Sequence, residues 1–159
     1  MKRKILIGLL VILVVIQFIR PAKNQSSELS ANDISRAYTV PDDVQNIVKK
    51  ACADCHTNNT VYPWYNNVQP VGWLLTKHVN DGKKELNFSE FASYSPKKQH
   101  HKLEELIEMV KEEEMPLPSY TWLHKNAILT MEEKLAISTW ADNLGKEIAL
   151  KNNIVPKEK

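Results

Sequence analysis

Five consecutive residues constrain this chain more than any other feature: Cys52, Ala53, Asp54, Cys55 and His56. The pattern Cys-x-x-Cys-His is the attachment signal for a c-type haem. Its spacing has a physical reason. Two thiols three residues apart at a helix end reach the vinyl groups of adjacent pyrroles, and the next residue projects its imidazole at the iron. A chain that does this must fold around a flat, largely apolar group. Other uses of the same residues fit less well. A redox dithiol sits in a βαβ context, and no segment here alternates as a strand. A zinc site would join Cys52, Cys55 and His56 to one of His78, His100, His101 or His124, but zinc ligands usually come as two paired spacings and there is no second pair. A disulfide between cysteines this close closes too small a loop to stabilise much.

The N-terminus bears on where the attachment takes place. Lys2, Arg3 and Lys4 precede an apolar run, Ile5–Ile19, in which Gln17 is the only strongly polar side chain. A basic start followed by an apolar run marks an export segment. The run would make about 22 Å of helix, short of a hydrocarbon core of about 30 Å. No small-x-small cleavage site follows it. The expectation is an uncleaved anchor over residues 5–19 with the rest of the chain on the periplasmic side; a cleaved, soluble periplasmic form is the alternative. The formal net charge of +2 owes much to this segment: Lys2, Arg3, Lys4 and Arg20 removed, 17 Lys and Arg face 19 Asp and Glu, a balance of −2. No basic stripe remains, so no nucleic-acid partner is expected.

Beyond residue 20 the pattern is helical. Residues 21–39 are polar and aperiodic and read as a linker. Pro41 opens a helix with Asp42 and Asp43 in its first turn, and Val44, Ile47, Val48 and Ala51 share one face. Residues 57–70 read as loop. A short helix carrying Trp73, Leu74 and His78 is expected to end near Asp81 and Gly82. A further helix follows Pro96, with Leu103, Leu106, Ile107 and Val110 on its face, stopped before Pro116. Thr130 and Glu133 form a capping box for a last helix whose Ala136, Trp140, Leu144 and Ile148 recur every fourth residue. Trp140 is expected to pack on the helix at 41–51. The expected organisation is therefore 1–20 export or anchor segment, 21–39 linker, 40–150 an all-α domain around one covalently bound haem, and 151–159 a tail.

His56 supplies one axial ligand. The expected sixth ligand is Met115, 59 residues later in a Met-Pro turn behind an amphipathic helix. A thioether ligand raises the haem potential. Met109 and Met131 read as core and capping-turn residues, and His78 is the second choice of ligand. His100, His101 and His124 read as exposed. Pro63, Trp64, Tyr65, Pro70 and Trp73 are stiff, bulky groups suited to wall a haem edge or bond a propionate, or else to ordinary loop packing.

At these residues the chain resembles the cytochrome c superfamily: a helix, the Cys-x-x-Cys-His turn, intermediate helices, a Met loop and a C-terminal helix with an aromatic. It is more closely similar to a bacterial family of haem-binding domains at Cys52–Thr60, Tyr62–Tyr65, Pro70–Trp73, Gly82–Phe91 and Glu114–Pro116, over about residues 35–148. The resemblance implies a mono-haem c domain and no particular reaction. With two protein ligands on iron, an electron carrier with unidentified redox partner proteins is expected. The alternative is a haem enzyme or sensor, peroxidase-like or gas-binding, with a labile sixth position. No acid–base pair, phosphate loop or nucleophile stands out elsewhere.

Overall fold

The amphipathic helices read from the sequence form, and they enclose one core. The structure, a computed structural model, describes residues 1–154. Its helices are α1 (Lys2–Ile16), α2 (Ile34–Ala37), α3 (Asp42–Ala51), α4 (Ala53–His56), α5 (Val71–Glu85), α6 (Pro96–Lys111), α7 (Pro118–Thr121) and α8 (Met131–Lys151). Short 3₁₀ turns lie at Trp64–Asn67, Phe88–Ser93 and Lys125–Ala127. There is no strand among the described residues, only an isolated bridge between Gln25 and Asn59. The fold is all-α. Of the tail expected at 151–159, Lys151 closes α8 and residues 155–159 lie outside the described residues.

Each long helix starts where its capping chemistry permits. Pro41 is the N-cap of α3, and Asp42 and Asp43 fill its first turn. The Ser95 side chain accepts from the Lys98 N–H, with Pro96 at the first helical position of α6. Both bonds of the Thr130–Glu133 capping box are present at α8. The core is built by α6 and α8, the most extensive helix pair, with α3 laid on α8. Trp140 is 8% exposed and its indole N–H donates to the Thr39 carbonyl at 3.2 Å, so the expected packing of α8 against the first amphipathic helix holds. Phe91, Leu103 and Ile137 are at the centre.

Two segments differ from expectation. α5 does not stop at Asp81–Gly82 but runs on to Glu85. Residues 21–39 are not a free linker. The Asn24 side chain donates to the Thr57 carbonyl and the Thr60 hydroxyl, both at 2.9 Å, and Ser26 N–H donates to the Asn58 carbonyl at 3.1 Å. Asn32 donates to Glu90 at 3.0 Å, and Ile34 is buried in the core. The polar side chains of this segment are hydrogen-bond partners of the domain, and composition alone does not distinguish that from solvation.

α1 stands apart from the core. None of its residues is buried, and no described helix is long and apolar enough to cross a membrane.

Candidate haem site

α3 ends at Ala51 because Cys52 leaves the helical region (φ −124°, ψ −36°), and a single turn, α4, follows at once. The Cys52 carbonyl accepts from the N–H groups of Cys55 (3.1 Å) and His56 (2.9 Å). This break turns Cys52, Cys55 and His56 toward the same side of the fold. α5 crosses close behind: a Cβ on Gly82 would lie 2.7 Å from the Cys55 carbonyl oxygen. Gly82 is therefore not a helix terminator but the residue whose missing side chain lets α5 back the Cys-x-x-Cys-His turn.

His56 Nδ1 lies 2.8 Å from the Leu86 carbonyl oxygen, which only accepts, so Nδ1 carries the proton and Nε2 keeps its lone pair. Phe88 packs edge-on against the ring, with centroids 6.5 Å apart. Burial lowers the His56 pKa, which keeps the ring neutral and ready to ligate. Such a hydrogen bond on the far nitrogen is the usual way a metal-ligating histidine is oriented.

Two cavities flank this turn. One, of about 290 Å³, is walled by apolar groups that include Leu86, Phe88, Leu106, Val110 and Ile137. The other, of about 360 Å³, is lined by Cys55, His78, Pro116, Leu117 and Tyr120 among others. Cys52, His56, Glu85 and Met115 line both. Met115 thus borders the same space as both cysteines and the histidine. Its backbone is fixed by the end of α6: Glu113 N–H donates to the Val110 carbonyl, and the N–H groups of Glu114 and Met115 both donate to the Met109 carbonyl. This is a Schellman closure with Glu113 in the left-handed region at φ 62°. Met109 lines the first cavity, and Met131 is exposed. His78 lines only the second of the two.

The other sequence readings divide. His101 is exposed as expected, but the His100 side chain is only 12% exposed. His124 is also partly buried, stacked on Tyr120 with ring centroids 4.2 Å apart. Of the groups suited to wall a haem edge, Pro63, Trp64, Tyr65, Pro70 and Trp73 line neither cavity.

The sequence did not single out Tyr120, Asp54 or Lys102. The Tyr120 hydroxyl donates to Asp54 at 2.7 Å, and the other oxygen of that carboxylate accepts from Val61 N–H at 2.9 Å. Asp54 is an x residue of the motif and carries no periodic signal. Lys102 looks like one more charge on α6, yet it is nearly buried at the wall of the first cavity. Burial opposes its charge, but Glu105 at 2.5 Å and Glu85 at 3.3 Å outweigh that and raise its pKa.

The donor set fits haem and disfavours the rivals. Burial, and then the neighbouring Cys55, push the Cys52 thiol up to about 12; burial, and then Asp54, push Cys55 up to about 11. A working redox dithiol needs the opposite shift. Among the described residues no group of three or more His, Cys, Asp and Glu could hold a metal ion, so a zinc cluster is not assembled. What the turn offers is a neutral imidazole with one free nitrogen beside large apolar cavities, which suits an iron porphyrin. Comparison agrees: a family model described as a haem-binding domain matches residues 11–143, which takes in the 21–39 segment and part of α1. Searches of curated proteins and of solved structures each returned no match. The match covers most of the chain and contains the whole site just described, and on that ground the chain belongs to the haem-binding domain family, with haem as its cofactor.

Proposed function

We propose that the chain is a mono-haem c-type cytochrome that carries single electrons outside the cytoplasmic membrane. Cys52 and Cys55 hold the haem by thioether bonds, and His56 and Met115 are its axial ligands. When bound, the haem supplies a one-electron couple; the protein orients it, excludes water from it and sets its potential. The carrying observation is the lining shared by the two cavities, which brings Met115 to the space of Cys52 and His56 while His56 Nε2 is left free. A carrier exchanges electrons through the haem edge and needs no open iron position. Apolar walls and a thioether ligand both favour a raised potential. The N-terminal run at residues 5–19 would hold the domain at the periplasmic face of the membrane.

Acid-acetone extraction tests the attachment. Haem should stay with the wild-type protein, escape in part from Cys52→Ala or Cys55→Ala, and escape fully from the double variant. Complete extraction from wild type would refute covalent attachment. A visible spectrum of the reduced protein with carbon monoxide tests the carrier reading: an unchanged spectrum supports two protein ligands, whereas a shifted one points to a haem enzyme or sensor with a labile sixth position.

A further inference from the structure

One face of the domain is unusually apolar for an exposed surface. Val61, Trp64 and Trp122 are 80%, 79% and 75% exposed. Val61, Val71, Leu74 and Leu123 line one pocket, which places the 61–74 segment beside the 122–124 turn. Dispersed apolar residues are normal on a surface; several large ones in one place, with two exposed indoles, mark a contact.

The exit of the apolar N-terminal helix is clasped to this same face. The Gln17 side-chain oxygen accepts from Gln69 N–H at 2.9 Å, and its amide donates to the Gln69 carbonyl at 3.1 Å. The Trp73 indole N–H donates to the Ile19 carbonyl at 2.8 Å. Gln17, the one polar interruption of the run, is thus used to fasten the end of α1 to the segment that bears the exposed apolar groups. Arg20 and Lys23 follow immediately, both exposed.

We infer that the face formed by residues 61–74 with Trp122 and Leu123 rests on the lipid bilayer, its indoles at headgroup level and Arg20 and Lys23 among anionic headgroups. This rests on the reading of residues 5–19 as a membrane anchor. The shortness of that run favours such seating. The apolar part of α1, residues 5–16, makes about 18 Å of helix; in a core of about 30 Å it is matched by drawing its flanks inward, and the outer flank is clasped to this face. Tryptophan prefers the membrane–water interface, where its ring is half desolvated and its N–H stays hydrated. The pocket on this face is also lined by Asp54 and Cys55, so the attachment turn lies directly behind the lipid contact.

Lipid photolabelling tests the seating. Full-length, haem-loaded protein is placed in vesicles of phosphatidylethanolamine and phosphatidylglycerol carrying a diazirine phospholipid, irradiated, and mapped by peptide mass spectrometry. Label is expected in α1 and also in the peptides holding Trp64 and Trp122. The double variant Trp64→Glu, Trp122→Glu should keep its haem spectrum and its label in α1, and lose label on the face several-fold. Label confined to α1 in wild type would overturn the seating and leave the anchor reading standing. Protein that stays in the supernatant without label in α1 would remove the anchor reading and the seating with it. An unlabelled face cross-linked to a second copy, or protected by an added redox protein, would also overturn it.

Discussion

Asp54 stands between the two cysteines, and its carboxylate ties three parts of the site together. It is covalently part of the attachment turn, it holds Val61 at the start of the next segment, and it accepts the Tyr120 hydroxyl from α7, five residues beyond Met115. The Met115 loop is therefore latched to the Cys-x-x-Cys-His turn by one side-chain hydrogen bond. Removing it with Tyr120→Phe should cost about 1.5–3 kcal/mol of stability, the range for a hydrogen bond to a charged acceptor. If Met115 ligates the iron, the variant should also weaken the long-wavelength sulfur-to-iron absorption of the ferric haem and admit some carbon monoxide. An unchanged band and unchanged carbon monoxide resistance would mean that the latch does not reach the ligand. Met115→Ala should open the iron fully, whereas His78→Ala should leave it closed; the reverse pattern would make His78 the ligand. Gly82 is decisive in a simpler way. Gly82→Ala puts a methyl group 2.7 Å from the Cys55 carbonyl, so either α5 or the turn must shift, and haem incorporation during expression should fall. Incorporation at the wild-type level would show that this crossing tolerates a side chain. The Cys52–His56 turn and the Met115 turn could be picked out in the sequence because each follows from a motif or a local pattern, and the structure brings them to one cavity. Asp54, Tyr120 and Gly82 could not be, because their roles come from contacts between segments distant in the chain.

The helices themselves were largely legible. Periodic apolar faces and capping signals located α3, α6 and α8, and burial follows the expected faces at Val44 and Ile47, at Leu103, Leu106 and Val110, and at Trp140, Leu144 and Ile148. Helix ends were harder. Asp81-Gly82 reads as a stop in the sequence, yet α5 runs through it to Glu85, with Gly82 at the close crossing over the Cys55 carbonyl. The end of α6 lacks the glycine that such closures favour and uses Glu113 at φ 62° instead. A left-handed residue with a Cβ carries a conformational cost of roughly 1 kcal/mol. The Glu113 carboxylate meets Lys134 of α8 at 2.5 Å, an exposed pair of small net value. Glu113→Gly should therefore leave stability unchanged or raise it, by up to about 1 kcal/mol in urea titration. A clear loss would show that the bond from α6 to α8 outweighs the backbone cost. Conversely, Thr130→Ala removes the N-cap acceptor of the 21-residue α8 and should cost about 1 kcal/mol.

At the scale of the molecule, the chain is held together by segments that look unstructured in isolation. Composition suggested that residues 21–39 are a linker, yet Asn24, Ser26, Asn32 and Ile34 pin them across the loop that follows the haem turn and the 88–93 turn. Polar residues hydrogen-bonded across a fold and polar residues in water have the same sequence signature, which is why this part of the architecture was not legible. One of these ties ends on a carboxylate, Glu90, and a second carboxylate, Glu133, joins α3 to α8; both make stability depend on pH with a definite sign. Glu90 is held below its ordinary value of 4.5 by Asn32 first, despite partial burial, and then by Ser30 and Asn58. Glu133 is held below 4.5 by Lys50 of α3 first, and then by the Thr130 backbone. With the folded pKa below the unfolded one, the unfolded chain binds more protons in the window between them. The stabilisation is then complete above about 4.5 and is lost as pH falls from there through the folded values. Wild-type urea midpoints should be level with respect to these two groups near neutral pH and fall once the pH drops below that point. Glu90→Gln and Glu133→Gln should each be less stable than wild type at neutral pH, because each loses its charged contact. Each should also fall less steeply in acid, so that the curves converge at the lowest pH, where the wild-type carboxyls are themselves protonated. The Glu133 variant should weaken the junction of α3 with α8, and the Glu90 variant the seating of residues 30–32; hydrogen exchange resolves the two locations. Midpoint curves that stay parallel from neutral to acid pH would show that neither carboxylate is held by its partners in solution as it is in the structure.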